Sequence, residues 1–201
     1  MMQNSFWDAV KGRRSIYGLS DEKIVPKQRI IEIVRDAVKH VPSSYNSQST
    51  RAVVLFDDNH KAFWQLTLDE LKKVTPPDRF PATQRKVEES FASGYGTVMY
   101  FVDKKVVDDL VAKFPLYAEK FAVWAQHSNA MHQFVIWSAL EAEGLGASLQ
   151  HYNPLVDEAV RQKWNVPAEW QLIAQMPFGK PAQSPGEKEF QSLDERVWIF
   201  E

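Results

Sequence analysis

Residues 118–146 read AEKFAVWAQHSNAMHQFVIWSALEAEGLG. Phe121, Trp124, Ala125, Met131, Phe134, Val135, Trp137 and Leu140 recur at helical spacing and predict a helix over 118–143. Apolar residues lie on more than one side of it, which predicts burial on several faces. Gly144 and Gly146 stand where such a helix must end. A helix of this length and apolarity needs a sheet or other helices to cover it, and strands are expected on either side.

After the glycines, residues 147–150 form a short apolar strand, and 154–164 a helix. Residues 171–176, Gln-Leu-Ile-Ala-Gln-Met, form a further strand that Pro177 and Gly179 are expected to stop. Before the long helix, Thr97 to Val102 reads as a buried strand after the turn Gly94-Tyr95-Gly96, and 104–113 as a helix interrupted by Pro115.

Further toward the N-terminus, the Ala-Val-Val-Leu-Phe run in 51–56 is another buried strand. Helices are expected over 61–73 and 83–93, with a proline-rich loop over 75–81 between them. Residues 27–40 carry Ile30, Ile31, Val34, Ala37 and Val38 as a helical stripe behind Pro26. Residues 5–14 form a first helix that Ser5 can cap. Residues 180–189 are a loop rich in Pro, Gly and charge, and the apolar run 196–200 is suited to pairing as an edge strand or on a partner. The order predicts one α+β domain over residues 1–201, with a central mixed β-sheet flanked by helices.

Composition narrows the function. Hydrophobic residues are 44 % and charged residues 25 % of the 201, which suits a globular core. The net charge of -2 gives no reason to expect nucleic acid or an anionic membrane as partner. With no cysteine, disulfides, thiolate metal sites and cysteine nucleophiles are excluded. The first ten residues lack the apolar core of a signal peptide, and no apolar run reaches the ~18 residues of a membrane span. A cytoplasmic location is the default expectation. Seven Trp, twelve Phe and six Tyr suit an aromatic core and interface, or a pocket for a flat ligand.

Three polar clusters carry candidate chemistry. Arg13-Arg14-Ser15 is either a solvated helix end or a phosphate site built of guanidinium groups and a hydroxyl. Pro42-Ser43-Ser44-Tyr45-Asn46-Ser47-Gln48 is either a plain connection or a loop whose amides present paired donors and acceptors to a heterocycle edge. In Gly186-Glu187-Lys188, Lys188 is either an exposed loop cation or a second phosphate ligand. Rossmann and P-loop signatures are missing, as is the G-x-S-x-G elbow of a hydrolase. His127 and His132 are five apart and turn away from one helix face, so they make no metal pair. Glu141 and Glu143, two apart, also face different ways. No catalytic side chain and no metal site is expected.

Taken in order, these clusters resemble the nitroreductase family of FMN enzymes, most closely its short Frm2-like branch. The features shared are an Arg-x-Ser signature at 13–15, a Pro-Ser-x-x-Asn-x-Gln loop at 42–48 that leads at once into a strand, and Phe178-Gly179-Lys180-Pro181 followed by Lys188. Two positions depart from the pattern. Gln150-His151 stand where many relatives carry Glu-Gly, and Tyr17 where a basic residue is usual.

The resemblance implies that Arg13, Ser15 and Lys188 hold the FMN phosphate, with Arg14 close by. It implies that Ser43, Ser44, Asn46 and Gln48 reach the flavin or its ribityl chain, some of them from the other subunit of a homodimer. Leu149 and Gln150 would line the ring, and the tail would be exchanged between subunits. The implied activity is ping-pong reduction of nitroaromatic or quinone-type acceptors by NAD(P)H. A non-enzymatic flavin-binding regulator or carrier with the same fold is the competing reading.

Overall fold

The computed structural model describes residues 6–201. Helix α1 (Phe6–Gly12) opens the described chain, and the expected Ser5 cap lies outside the described residues. Strand β1 (Leu19–Ser20), which has no pattern of its own in the sequence, comes next. Helix α2 (Lys27–His40) starts behind Pro26 and buries Ile30, Ile33, Val34 and Ala37. After β2 (Thr50–Phe56), helix α3 (Asp57–Val74) begins four residues earlier than expected. Asp57 and Asp58 fall in its first turn, where a negative charge complements the helix dipole.

Helix α4 (Phe80–Val87) also starts early, because Pro81 occupies an opening position where its missing N–H costs nothing. A π-turn over Glu88–Ala92 continues it. Strand β3 (Gly96–Asp103) and helix α5 (Lys104–Lys113) follow, with Asp103 capping α5 by accepting from the Lys105 N–H. Helix α6 is the long one (Ala118–Ala142). Gly144, at φ 83°, closes it in the left-handed conformation that glycine takes freely. The last elements are β4 (Gly146–Ala147), α7 (Asp157–Trp164) and β5 (Trp170–Pro181), and residues 182–201 follow without a further helix or strand.

The strands lie in the order β1-β5-β3-β2, with β4 on β5. All these pairings are antiparallel, and the parallel element is the bridge from Ser15 to Ala147. Strand β3 is central and buried on both faces. Val98 and Tyr100 face α2 and α6, while Met99 and Phe101 face α3 and α7, as the two-residue period of a strand requires. Three layers result, with the sheet between helices, and the fold is α+β.

Two expectations are corrected. Strand β5 does not stop at Pro177 and Gly179. The Pro177 carbonyl still accepts from the Ser148 N–H, and pairing continues through Phe178 to Pro181. Gly179 is there for close approach: a Cβ would lie 2.5 Å from the Ser20 carbonyl oxygen and 3.0 Å from the Tyr95 nitrogen. The strand expected over 147–150 is reduced to Gly146–Ala147, beyond which Gln150 makes an isolated bridge to Gln175.

Helix α6 is buried along one stripe, from Phe121 through Ala125, Asn129, His132 and Ile136 to Leu140. The polar members of the stripe are paired: Asn129 donates to the Phe101 carbonyl at 3.0 Å, and Gln133 donates to Asn129 at 2.7 Å. Met131, Phe134 and Val135 point away from this stripe and are exposed. The second apolar face read from the sequence thus exists but is not covered within the chain.

Candidate functional site: a cationic cavity between the two ends of the chain

Beyond α1 the chain passes through Arg13 and Arg14 to Ser15, which bridges to Ala147. It is fixed there by the Ile16 N–H, which donates to the Ala147 carbonyl at 2.9 Å. The same strand edge holds the far end of the chain. Pairing of Leu19 and Ser20 with Pro181 and Lys180 leads residues 182–188 back past the arginines. Arg14 then donates to the Gly186 carbonyl at 2.8 Å.

A cavity of about 450 Å³ lies between the two segments, lined by Arg13 to Gly18 on one side and Gln183 to Lys188 on the other. Residues from the first and third clusters, Arg13, Arg14, Ser15 and Lys188, therefore share one wall system. Tyr17 belongs to it too, half-exposed, with its ring 6.4 Å from Phe91. The side-chain donors there include the guanidinium groups of Arg13 and Arg14, the hydroxyls of Ser15, Tyr17 and Ser184, the Gln183 amide and the Lys188 ammonium, with Glu187 as the one carboxylate in the lining. Those donors fit a phosphomonoester, whose oxygens accept charge-assisted hydrogen bonds.

The Arg13 guanidinium lies 4.4 Å from the centre of the Trp137 ring. Burial, and then the neighbouring Arg14 cation, pull its pKa below the ordinary arginine value, while Glu141 opposes both. The Glu141 carboxyl is itself pushed up by burial, against the pull of Arg13. Trp137 and Glu141 were not legible as site residues. They sit more than a hundred positions from Arg13, and Trp137 reads as one apolar residue among several.

Leu149 and Gln150 follow Ala147, two and three residues beyond the Ser15 bridge, and so extend the same edge. The Gln150 N–H donates to the Gln175 carbonyl at 2.7 Å, and its side chain donates to Ser148 at 3.0 Å. Leu149 packs partly against the core.

The second cluster lies elsewhere. Ser43, Ser44, Asn46 and Gln48 do not line this cavity. Their loop is organised by its own bonds, the Ser43 hydroxyl accepting from the Gln48 N–H at 2.9 Å. Tyr45, Asn46 and Gln48 all have positive φ, between 49° and 56°. Such strain, of order 1–3 kcal/mol per residue, persists where surrounding structure enforces it and gathers at functional sites. The Tyr45 ring packs here against an aromatic group, 4.9 Å from Phe114, 5.4 Å from Phe121 and 6.3 Å from Trp124. Trp124 and Trp137 stand about 20 Å apart along α6 at ~1.5 Å rise per residue. Within one chain the amide loop and the cationic cavity are therefore at opposite ends of the long helix.

The sequence profile of the nitroreductase family matches residues 10–180, a span that takes in the arginines, the amide loop and β5 up to Lys180.

The chain is a member of the nitroreductase family.

It is 34 % identical to the nitroreductase FRM2 of Saccharomyces cerevisiae over 188 residues, 92 % of this chain and 93 % of that one. The nitroreductase CinD from Lactococcus lactis in complex with 4-nitrophenol matches at a TM-score of 0.89 and 35 % identity, covering 98 % of this chain and 100 % of that one. A nitroreductase-fold protein from Desulfovibrio desulfuricans in complex with FMN shares the fold at a TM-score of 0.68 with 19 % identity, over 99 % and 98 % of the two chains. The nitroreductase fold and an oxidoreductase activity of nitroreductase type follow from the family and these relatives. No described helix is long and apolar enough to cross a membrane.

Proposed function

We propose that this nitroreductase is an FMN-dependent oxidoreductase that uses NAD(P)H to reduce nitroaromatic or quinone-type acceptors. The observation that carries the proposal is the convergence of Arg13, Arg14, Ser15 and Lys188 on one cavity. The chemistry that FMN supplies when bound is two-electron transfer, taken as hydride from a nicotinamide and passed to an aromatic acceptor. The protein's own work is binding, orientation and electrostatics. Arg13, Ser15 and Lys188 would hold the phosphate, with Arg14 both near it and anchoring the 183–188 loop through Gly186. Leu149 and Gln150 would border the ring.

Ser43, Ser44, Asn46 and Gln48 would act from a second subunit, because their own chain keeps them at the other end of α6. This supports reading the 201-residue chain as one FMN-binding domain that works as a homodimer. The uncovered face of α6, with Met131, Phe134 and Val135, gives the subunits an apolar surface to share. So does the tail, where Val197, Trp198, Ile199 and Phe200 are all exposed. Exchange of that tail between subunits would cover it. The location would be cytoplasmic.

Initial-rate kinetics with varied NADH or NADPH and a nitroaromatic acceptor test the proposal. Parallel double-reciprocal lines are expected from two half-reactions that share one site. A flavin-loaded protein that oxidises neither nicotinamide would favour the carrier reading, which the departures at Tyr17 and Gln150-His151 keep in view.

A further inference from the structure

Arg13 is held in an unusual way for a phosphate ligand. Its guanidinium lies over the face of Trp137, 4.4 Å from the ring centre. A guanidinium stacked on its face keeps the donors on its edges free, and its orientation is fixed at no cost in hydrogen bonds. Arg14, in contrast, spends one N–H on the Gly186 carbonyl.

One helical turn after Trp137, on the same side of α6, stands Glu141. Its Oε2 is buried with no hydrogen-bond partner among the described residues. The carboxylate reaches this position because residue 12 is glycine, where a Cβ would lie 2.2 Å from Glu141 Oε1. Trp137 and Glu141 border a smaller cavity of about 140 Å³ behind the arginine segment, which Arg14 lines as well, whereas Arg13 lines only the larger cationic cavity.

The geometry points to Trp137 as a positioning residue for the phosphate ligand Arg13, and to Glu141 as the counter-charge of that guanidinium while no phosphate is bound. The inference rests on the phosphate reading of the cationic cavity. Trp137 aims the guanidinium edge at the cavity without occupying it. Glu141 makes no salt bridge to Arg13 and acts on the cation through its field alone, and as an anion it also opposes an arriving phosphate. The two residues therefore act on phosphate affinity with opposite signs. Neither lines the cationic cavity, so neither should act on a flavin that has no phosphate.

The test compares FMN with riboflavin, which lacks the phosphate, by flavin-fluorescence titration of the full-length protein. Trp137→Leu is expected to weaken FMN roughly three- to tenfold, the scale of one partly desolvated cation–π contact, and to leave riboflavin unchanged. Trp137→Phe should restore most of the loss. Glu141→Gln should tighten FMN severalfold with riboflavin again unchanged. In an Arg13→Ala background, Trp137→Leu should have no further effect, because the residue acts through Arg13.

Equal weakening of both flavins by Trp137→Leu would show a structural role and overturn the inference. So would an FMN affinity that Trp137→Leu and Glu141→Gln both leave unmoved. If Arg13→Ala leaves FMN affinity at the wild-type level, the phosphate reading fails, and this inference fails with it. If Arg13→Ala weakens FMN while Trp137→Leu does not, only the inference fails. Should Trp137→Leu not fold, the opposite-signed effect of Glu141→Gln decides.

Discussion

Arg13 keeps its charge against both burial and the repulsion of Arg14, a cost that a phosphate ligand would offset. Replacing it removes the equivalent of one charge-assisted bond worth about 1.5–3 kcal/mol, so Arg13→Ala should weaken FMN roughly 10- to 100-fold. The fold should be unchanged by circular dichroism, since the side chain belongs to no core cluster. A variant that purifies as yellow as the wild type would remove Arg13 from the phosphate site. Arg13, Arg14, Ser15 and Lys188 could be named from sequence because charge clusters near a helix end and in a terminal loop stand out locally. Their meeting in one cavity could not be derived from spacing, since it depends on β1 pairing with the end of β5. Trp137 and Glu141 stayed hidden for a related reason. Their role comes from a neighbour that the fold supplies and that the local pattern of α6 does not contain.

Among the elements, the amide loop stores what its neighbours enforce. Gln48 sits at φ 49°, where glycine has no penalty. Gln48→Gly should therefore stabilise the flavin-free protein by up to about 1 kcal/mol, while losing a side chain read as a flavin contact. A higher urea midpoint together with weaker flavin binding is the expected pair of results. A lower midpoint would show that the Gln48 side chain is itself structural. Helices α2 and α6 were legible from periodicity almost to the residue, because each buries one face against the sheet or a neighbouring helix. Strand β5 was cut short in the sequence reading because Pro177 and Gly179 normally punctuate. The packing of β1, β4 and the Gly94–Tyr95 turn around this strand turns the same residues into part of it. The two-residue β1 has no periodicity to read, and it exists only through its partner.

For the molecule as a whole, stability and assembly give two further expectations. His60 is buried, with Nδ1 2.9 Å from the Thr97 hydroxyl and Nε2 3.2 Å from the Ala92 carbonyl. A neutral ring that donates from Nε2 satisfies both. Burial lowers its pKa from 6.5 to about 4. The unfolded chain then takes up a proton below pH 6.5 that the folded chain refuses until about pH 4. Stability should accordingly be complete above pH 6.5 and fall by roughly 3 kcal/mol between there and pH 4. Urea unfolding at pH 7 and pH 4.5 measures this, and His60→Asn should flatten the difference even if it lowers stability at both. The assembly prediction concerns the tail, where Phe200 is 89 % exposed and Ile199 78 %. Removing residues 190–201 should weaken the dimer in light-scattering measurements and release flavin on dilution, with residues 183–188 left in place. Unchanged mass and flavin retention would show that the tail takes no part in the interface. The central claim, that the chain binds FMN and cycles it between a nicotinamide and an aromatic acceptor, is tested most directly by one absorption experiment. Purified protein is reconstituted with FMN, reduced anaerobically with NADH or NADPH, and then given a nitroaromatic or a quinone. Bound-flavin bands that bleach with the nicotinamide and return with the acceptor are the predicted result. A protein that takes up no FMN, or whose bound flavin stays oxidised with both nicotinamides, would contradict the claim.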